Sequence, residues 1–294
     1  MGIAEDMGTF YNNLKIPTDT ISSISVRYKR ITRQLNRDLW NSESDTLNSM
    51  YTGSYGRDTA SHGISDLDIT FRLPVRLYDQ YRVYMGNGQS ALLQAVKTSL
   101  QKMYPTSNVA GDGQVVVITF NDGIRFEILP VFDHKDGSSF IFPDSNNGGS
   151  WQVCNPKAEI KAIQDRHENT NKNLKKICRM LRIWKMHCSV TMTGMLIDTL
   201  VYQFIENYEH RGKSFLYYDY IFRDLFDFMS KQDQTQNHWR APGSGSYVYR
   251  TGIFENKARS AHLRVVEANA FGANGNQWSQ RQKWRDVFGT DYPG

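Results

Sequence analysis

Apolar residues recur at three- and four-residue steps after Pro17: Ile21, Ile24, Tyr28, Ile31, Leu35 and Leu39, with Thr18 or Asp19 placed to cap. That period predicts a long amphipathic helix whose other face carries Arg27, Lys29, Arg30, Arg33 and Arg37. Beyond a Gly- and Ser-containing segment, Gly53 to Gly63, the period changes. Asp66, Asp68, Thr70 and Arg72 alternate with Leu67, Ile69, Phe71 and Leu73, the pattern of a strand with one buried face. Leu92, Leu93, Val96 and Leu100 mark another helix. The β-branched run Gln114 to Phe120 ends at Asn121-Asp122-Gly123, which is hairpin loop chemistry, and the returning strand is Ile124 to Phe132, ended near Pro130.

After a loop rich in Gly, Asn and Ser, Ser138 to Ser150, helical periods dominate. Helices are expected over 156–168, 171–187, 194–209, 214–230, 252–271 and 275–288, with a break from Ala241 to Ser246. The pattern implies an α+β protein. A mixed-sheet lobe over 1–150 includes the long helix, and a helical lobe follows over 151–294, with a flexible tail near 289–294.

Composition narrows the classes. The chain has 294 residues, 39% of them hydrophobic, enough for a substantial core. Mean hydropathy is −0.56 and no apolar run approaches about eighteen residues, which excludes a membrane-spanning helix. The N-terminus carries no basic-then-apolar signal, and Asp6 stands where a myristoylation signal requires Ser or Thr. Cys154, Cys178 and Cys188 lack CxxC spacing, so neither a disulfide framework nor a zinc knuckle is expected, and a cytoplasmic location is. A net charge of +5 and a pI near 9.0 suit an anionic partner, but the excess is modest for a protein that coats nucleic acid.

Three segments carry the candidate chemistry: Gly53-Ser54-Tyr55-Gly56-Arg57-Asp58-Thr59, Ser65-Asp66-Leu67-Asp68-Ile69 and Phe126-Glu127-Ile128-Leu129-Pro130. Carboxylates two apart on a strand project from one face, so Asp66 and Asp68 can ligate the same cations. Magnesium takes hard oxygen ligands, a few carboxylates with substrate phosphates. Nucleotidyl transfer commonly uses two metals about 3.5–4 Å apart, one activating the attacking hydroxyl and one steadying the pyrophosphate. Glu127, sharing a strand face with Arg125 and Leu129, is the candidate third ligand. Gly53 allows backbone to approach phosphate and the Ser54 hydroxyl can donate to it. Arg57 either adds charge there or anchors the loop.

The ordered set resembles the cyclic-GMP-AMP-synthase and oligoadenylate-synthetase-like nucleotidyltransferases, and within them the bacterial CD-NTases of anti-phage (CBASS) defence. The resemblance extends through Asn155-Pro156, the Leu181-Arg182-Ile183-Trp184 helix and Leu196-Ile197-Asp198. It implies a polymerase-beta-like catalytic lobe packed with a helical lobe. It also implies Asp66, Asp68 and Glu127 as catalytic ligands of two Mg2+ ions, for which Mn2+ can substitute. Gly53, Ser54, Arg57, Arg182 and Lys185 would bind the nucleotide, with Arg182 on the donor triphosphate. Glu127 stands where many relatives have Asp, and Arg182 where many have Lys. Lys172, Lys175, Lys176 and Arg179 share the helix of Arg182 and Lys185, so a solvated basic face is an equal reading there.

The implied activity is synthesis of a cyclic di- or trinucleotide from NTPs with release of pyrophosphate, the product acting on a downstream effector. No nucleic-acid activator is expected, because the Cys/His insertion by which the animal enzyme engages DNA is missing. Companion regulatory or conjugating proteins are partners of some members, and Gly294 permits conjugation. Two other readings share the sequence: transfer to an RNA, protein or small-molecule acceptor, and a silent nucleotide sensor.

Overall fold

The computed structural model describes residues 2–294. In chain order the elements are α1 (Ile3–Asn13), α2 (Thr18–Leu35), β1 (Ser49–Tyr51), α3 (Gly53–Gly56), β2 (Asp66–Arg72), α4 (Val75–Arg82), α5 (Gly88–Met103), β3 (Asn108–Asp112), β4 (Val115–Thr119), β5 (Arg125–Asp133), β6 (Phe140–Asp144) and β7 (Ser150–Cys154). There follow α6 (Pro156–Glu168), α7 (Asn173–His187), α8 (Gly194–Ile205), α9 (Tyr218–Ser230), β8 (His238–Arg240), β9 (Tyr247–Tyr249), α10 (Glu255–Ala273) and α11 (Gln277–Phe288). The fold is α+β, a mixed sheet followed by a helical region. No helix of the described residues is long and apolar enough to cross a membrane.

The residues form two compact units. One comprises Ile16–Arg57 and Gly63–Ile160, and holds the sheet. Its strands run in the order β1-β2-β5-β4-β3, with β6 on the far end of β5 and β7 on β6. Only β2 and β5 pair in parallel; the other pairs are antiparallel. Leu67, Ile69 and Phe71 of β2 and Phe126 and Ile128 of β5 are buried with Ile24, Ile31 and Leu35 of α2 and Leu92, Val96 and Leu100 of α5. Alternation along the strands thus gives the sheet one covered face and leaves the other for polar side chains. The returning strand does not end at Pro130. Beyond Ile128 it has left β4 and pairs with β2, Pro130 standing opposite Phe71, where a residue without an N–H is tolerated.

The other unit comprises residues up to Lys15, Asp58–His62 and Lys161–Gly294. The divisions therefore differ from a break at 150. Met7 and Phe10 of α1 and Leu14 just after it are fully buried in the helical core, and the His62 amide donates to the Leu14 carbonyl at 2.9 Å. Trp184 is fully buried in that core, its ring 5.1 Å from that of Phe226. The segment expected as a flexible tail packs instead. Tyr292 is fully buried, its ring 5.6 Å from Phe10 and 5.8 Å from Trp284, and the Asp291 carboxylate meets His62 at 3.0 Å. The apolar body of one tyrosine outweighs the polarity of its neighbours.

Candidate active site

Because β2 and β5 are parallel and in register, Asp66 stands opposite Arg125 and Asp68 opposite Glu127. Neighbouring strands lie about 4.8 Å apart, so the carboxylates of Asp66, Asp68 and Glu127 rise from one patch of a single sheet face. The hairpin β4–β5 accounts for Glu127's strand, and its far side accepts β2 directly.

The Gly-Ser turn is held against this patch. The Thr52 amide donates to the Asp68 carbonyl at 2.8 Å, and α3 starts at Gly53 with φ +56°. A Cβ at Gly53 would fall 1.7 Å from Asp68 Oδ2, so any side chain there must displace the Asp68 carboxylate and strain the backbone. Ser54 is half-buried on the same turn. Arg57 ends the turn, its amide donating to the Gly53 carbonyl at 3.1 Å. Its guanidinium, 7% exposed, is 3.7 Å from Glu159 and opposes the shift of Asp68. Glu159, which sequence reasoning passed over, sits one turn into the helix that Asn155 caps, its Oδ1 accepting from the Ala158 amide at 3.0 Å.

Electrostatically the patch is crowded. Burial raises the Asp68 pKa and the charge of Asp66 adds to it, against the pull of Arg57. Burial also raises that of Glu127, with Asp68, Asp66 and Asp112 adding and Arg125 opposing. Like charges gathered on one face disfavour ionisation unless a cation joins them. Arg125 touches two of the acids: Nη2 donates to Glu127 Oε1 at 3.1 Å and Nη1 lies 3.8 Å from Asp66 Oδ1. Among the described residues no three acidic, histidine or cysteine side chains converge closely enough to hold a metal ion. The donor set nonetheless fits a hard divalent cation, which takes one or two carboxylates and completes its shell with substrate phosphates and water.

Arg182 and Asp198 belong to the helical unit, where they are bonded to each other. Asp198 is fully buried on α8; Arg182 Nη1 reaches its Oδ1 at 2.7 Å and Nη2 its Oδ2 at 3.0 Å. The same Nη2 lies 3.0 Å from Thr59 Oγ1 and 3.2 Å from the Gly194 carbonyl, and Thr59 donates to Asp198 at 2.9 Å. Burial would lower the Arg182 pKa, but the Asp198 charge and hydrogen bonds outweigh it and raise it. The residue expected on the triphosphate thus has its donors committed. Asp198 within the apolar run Leu196 to Val201 was the sequence signal: a carboxylate on a buried face needs a buried base. Lys185, one turn on, is half-buried, and burial with the nearby Arg182 charge lowers its pKa.

The fold is that of a nucleotidyltransferase, with a mixed sheet presenting two acids of one strand beside a third on its parallel neighbour. Residues 1–167 match the Second Messenger Oligonucleotide or Dinucleotide Synthetase domain (SMODS), and the chain belongs to that family of second-messenger nucleotide synthetases. Comparison of the sequence with curated proteins gives no match. Among solved structures, the chain is similar to Escherichia coli MS115-1 CdnC in its complex with HORMA-deltaN, at 14% identity and a TM-score of 0.70, covering 99% of this chain and 98% of that one. It is similar to the Bradyrhizobium diazoefficiens CD-NTase CdnG in complex with GTP, at 13% identity and 0.64, covering 98% and 95%. For apo Vibrio cholerae DncV the values are 14% and 0.65, covering 84% and 69%.

Proposed function

We propose that this protein joins NTPs into a cyclic di- or trinucleotide second messenger with release of pyrophosphate. The observation that carries the reading is the register that sets Asp68 opposite Glu127 and Asp66 one step away on the same face, under the Gly53 turn. In this reading Asp66, Asp68 and Glu127 hold two magnesium ions, with manganese as a substitute. Bound there, the ions would supply Lewis acidity at the α-phosphate and lower the pKa of the attacking ribose hydroxyl. Gly53 lets backbone approach the triphosphate, Ser54 donates to it, and Arg57 fixes the turn through Glu159. Arg182, expected on the donor phosphate, has Nη1 and Nη2 engaged by Asp198, and Lys185 is kept as a second candidate phosphate contact on that helix.

The biological setting we assign is cytoplasmic anti-phage (CBASS) signalling, with an effector that reads the product. A companion regulatory protein is consistent with the HORMA complex of CdnC. We disfavour a nucleic-acid activator, in keeping with the pairing of Arg27 and Arg33 of α2 with Asp122 and Asp45 at 2.8 and 3.0 Å, and of Arg37 just beyond it with Glu43 at 2.8 Å. Incubation of the purified chain with Mg2+ and labelled NTPs should give a phosphatase-resistant product. The Asp66→Ala/Asp68→Ala variant should give none, and full activity in it would sink the assignment. Mass spectrometry of the product from an equimolar NTP mixture identifies bases and ring size.

A further inference from the structure

Arg125 is the residue of the acidic patch that the transfer reaction leaves without a task. It faces Asp66 in the register of β2 and β5 and shares its strand face with Glu127 two residues on. Its guanidinium contacts both acids, at 3.8 Å and 3.1 Å. It is also 41% exposed, so it can swing from them into water without burying its charge. Arg57, the other cation acting on the patch, is 7% exposed and fixed to Glu159. The two arginines therefore differ in kind, one built in and one free to leave.

Resting on the reading above, we infer that Arg125 is a resident counter-cation, a positioning residue that a divalent ion must displace before the carboxylates can ligate it. Three carboxylates on one sheet face repel, and a tethered guanidinium relieves the repulsion while no metal is bound. A divalent ion then gains the same oxygens only by breaking two charge contacts of the partly exposed kind. The protein's affinity for metal alone is thereby held low. Once displaced, the guanidinium fork has phosphate oxygens as its natural partners, so an arriving triphosphate favours the displaced state and, through it, metal binding. Metal and nucleotide become thermodynamically coupled through one side chain.

The test measures Mn2+ binding to the full chain without nucleotide, by the electron paramagnetic resonance signal of free Mn2+. Arg125→Met should bind Mn2+ about tenfold more tightly than the natural protein, equivalent to ~1.4 kcal/mol. An unchanged affinity overturns the inference; a weaker one does too, since it would make Arg125 an organiser of the acids. If that variant fails to fold by circular dichroism, Arg125→Gln is measured in its place. Arg72→Met removes an equal charge from the opposite end of β2, and should leave the affinity within about twofold because that charge is screened from the acids. An equal gain there reduces the effect to net charge and overturns the inference as well. Adding a non-hydrolysable NTP should tighten Mn2+ binding more in the natural protein than in Arg125→Met, and equal tightening in both also counts against it. Asp66→Asn/Asp68→Asn separates the two readings. If it binds Mn2+ undiminished, the ligand assignment of the proposed function fails; if it loses Mn2+ while Arg125→Met matches the natural protein, only the present inference fails.

Discussion

Arg182→Met tests what a buried cation on α7 is for. The guanidinium, 11% exposed, forms a two-pronged bond with the fully buried Asp198. Removing it takes the two-pronged charge partner away from the carboxylate, which Thr59 Oγ1 still meets. Losing one partner of a buried ion pair costs about 3–5 kcal/mol, because the remaining charge stays desolvated. For a domain of this size each kcal/mol moves the melting temperature by about 2–4 °C, so the variant should melt roughly 6–20 °C lower. The double variant Arg182→Met/Asp198→Leu removes both charges at similar volume and should recover most of the loss. The two single losses therefore should not add. Urea unfolding followed by tryptophan fluorescence, on the natural protein, both single variants and the double, reads the cycle, with the KM for NTP measured alongside. A loss below about 1 kcal/mol in Arg182→Met, the scale of an ordinary surface change, with a raised KM would refute the reasoning and return Arg182 to the triphosphate.

Gly53→Ala should lower product formation by about 100-fold or more, since a Cβ 1.7 Å from Asp68 Oδ2 must displace that carboxylate by an ångström or so. The helical circular dichroism should be unchanged. His167 gives a pH test: its ring accepts the Lys175 amide at 3.2 Å, and burial with the nearby Lys175 charge lowers its pKa to about 4. The unfolded chain binds that proton near pH 6.5, so stability should fall as pH drops from about 6.5 and level off below about 4, by on the order of 2 kcal/mol after solvent screening. His167→Asn keeps an acceptor and should flatten that slope in urea midpoints measured against pH. Tyr292→Ala empties a site between Phe10 and Trp284 and should cost about 3–5 kcal/mol in the same unfolding assay.

The elements with a clean period were legible from the residues alone. The helix over 156–168 has those bounds in the structure, and β2 alternates as read, apart from a buried Thr70 on the polar face. The long N-terminal helix stops being regular at Leu35, where a π turn carries Asn36–Trp40 and lets the buried Asn36 amide cap the carbonyls of Ser44 and Leu47. The short strands were not legible. β6 and β7 sit within or beside a segment rich in Gly, Asn and Ser, and β7 leaves Gln152 and Val153 exposed, so neither composition nor alternation marks it. The α1 helix is held through the buried Met7 and Phe10, and Phe10 meets Phe288 and Tyr292 from the far end of the chain. At the candidate site, spacing put Asp66 and Asp68 on one face, but the parallel register with Glu127 and the grip of Glu159 on Arg57 depend on pairings that no local pattern encodes.

The parallel pairing of β2 with β5 also sets the order in which the sheet can be finished during synthesis. Asp66 and Asp68 leave the ribosome about sixty residues before Glu127, and the intervening chain makes α4, α5 and the β3–β4 pair. The strand that brings Glu127 is the central one, entering between β2 and β4. Until Arg125–Asp133 is made, β2 and β4 both lack the strand they pair with in the finished sheet. Glu127 and Arg125 join Asp66 and Asp68 in that one event, so the third carboxylate never arrives without a guanidinium beside it.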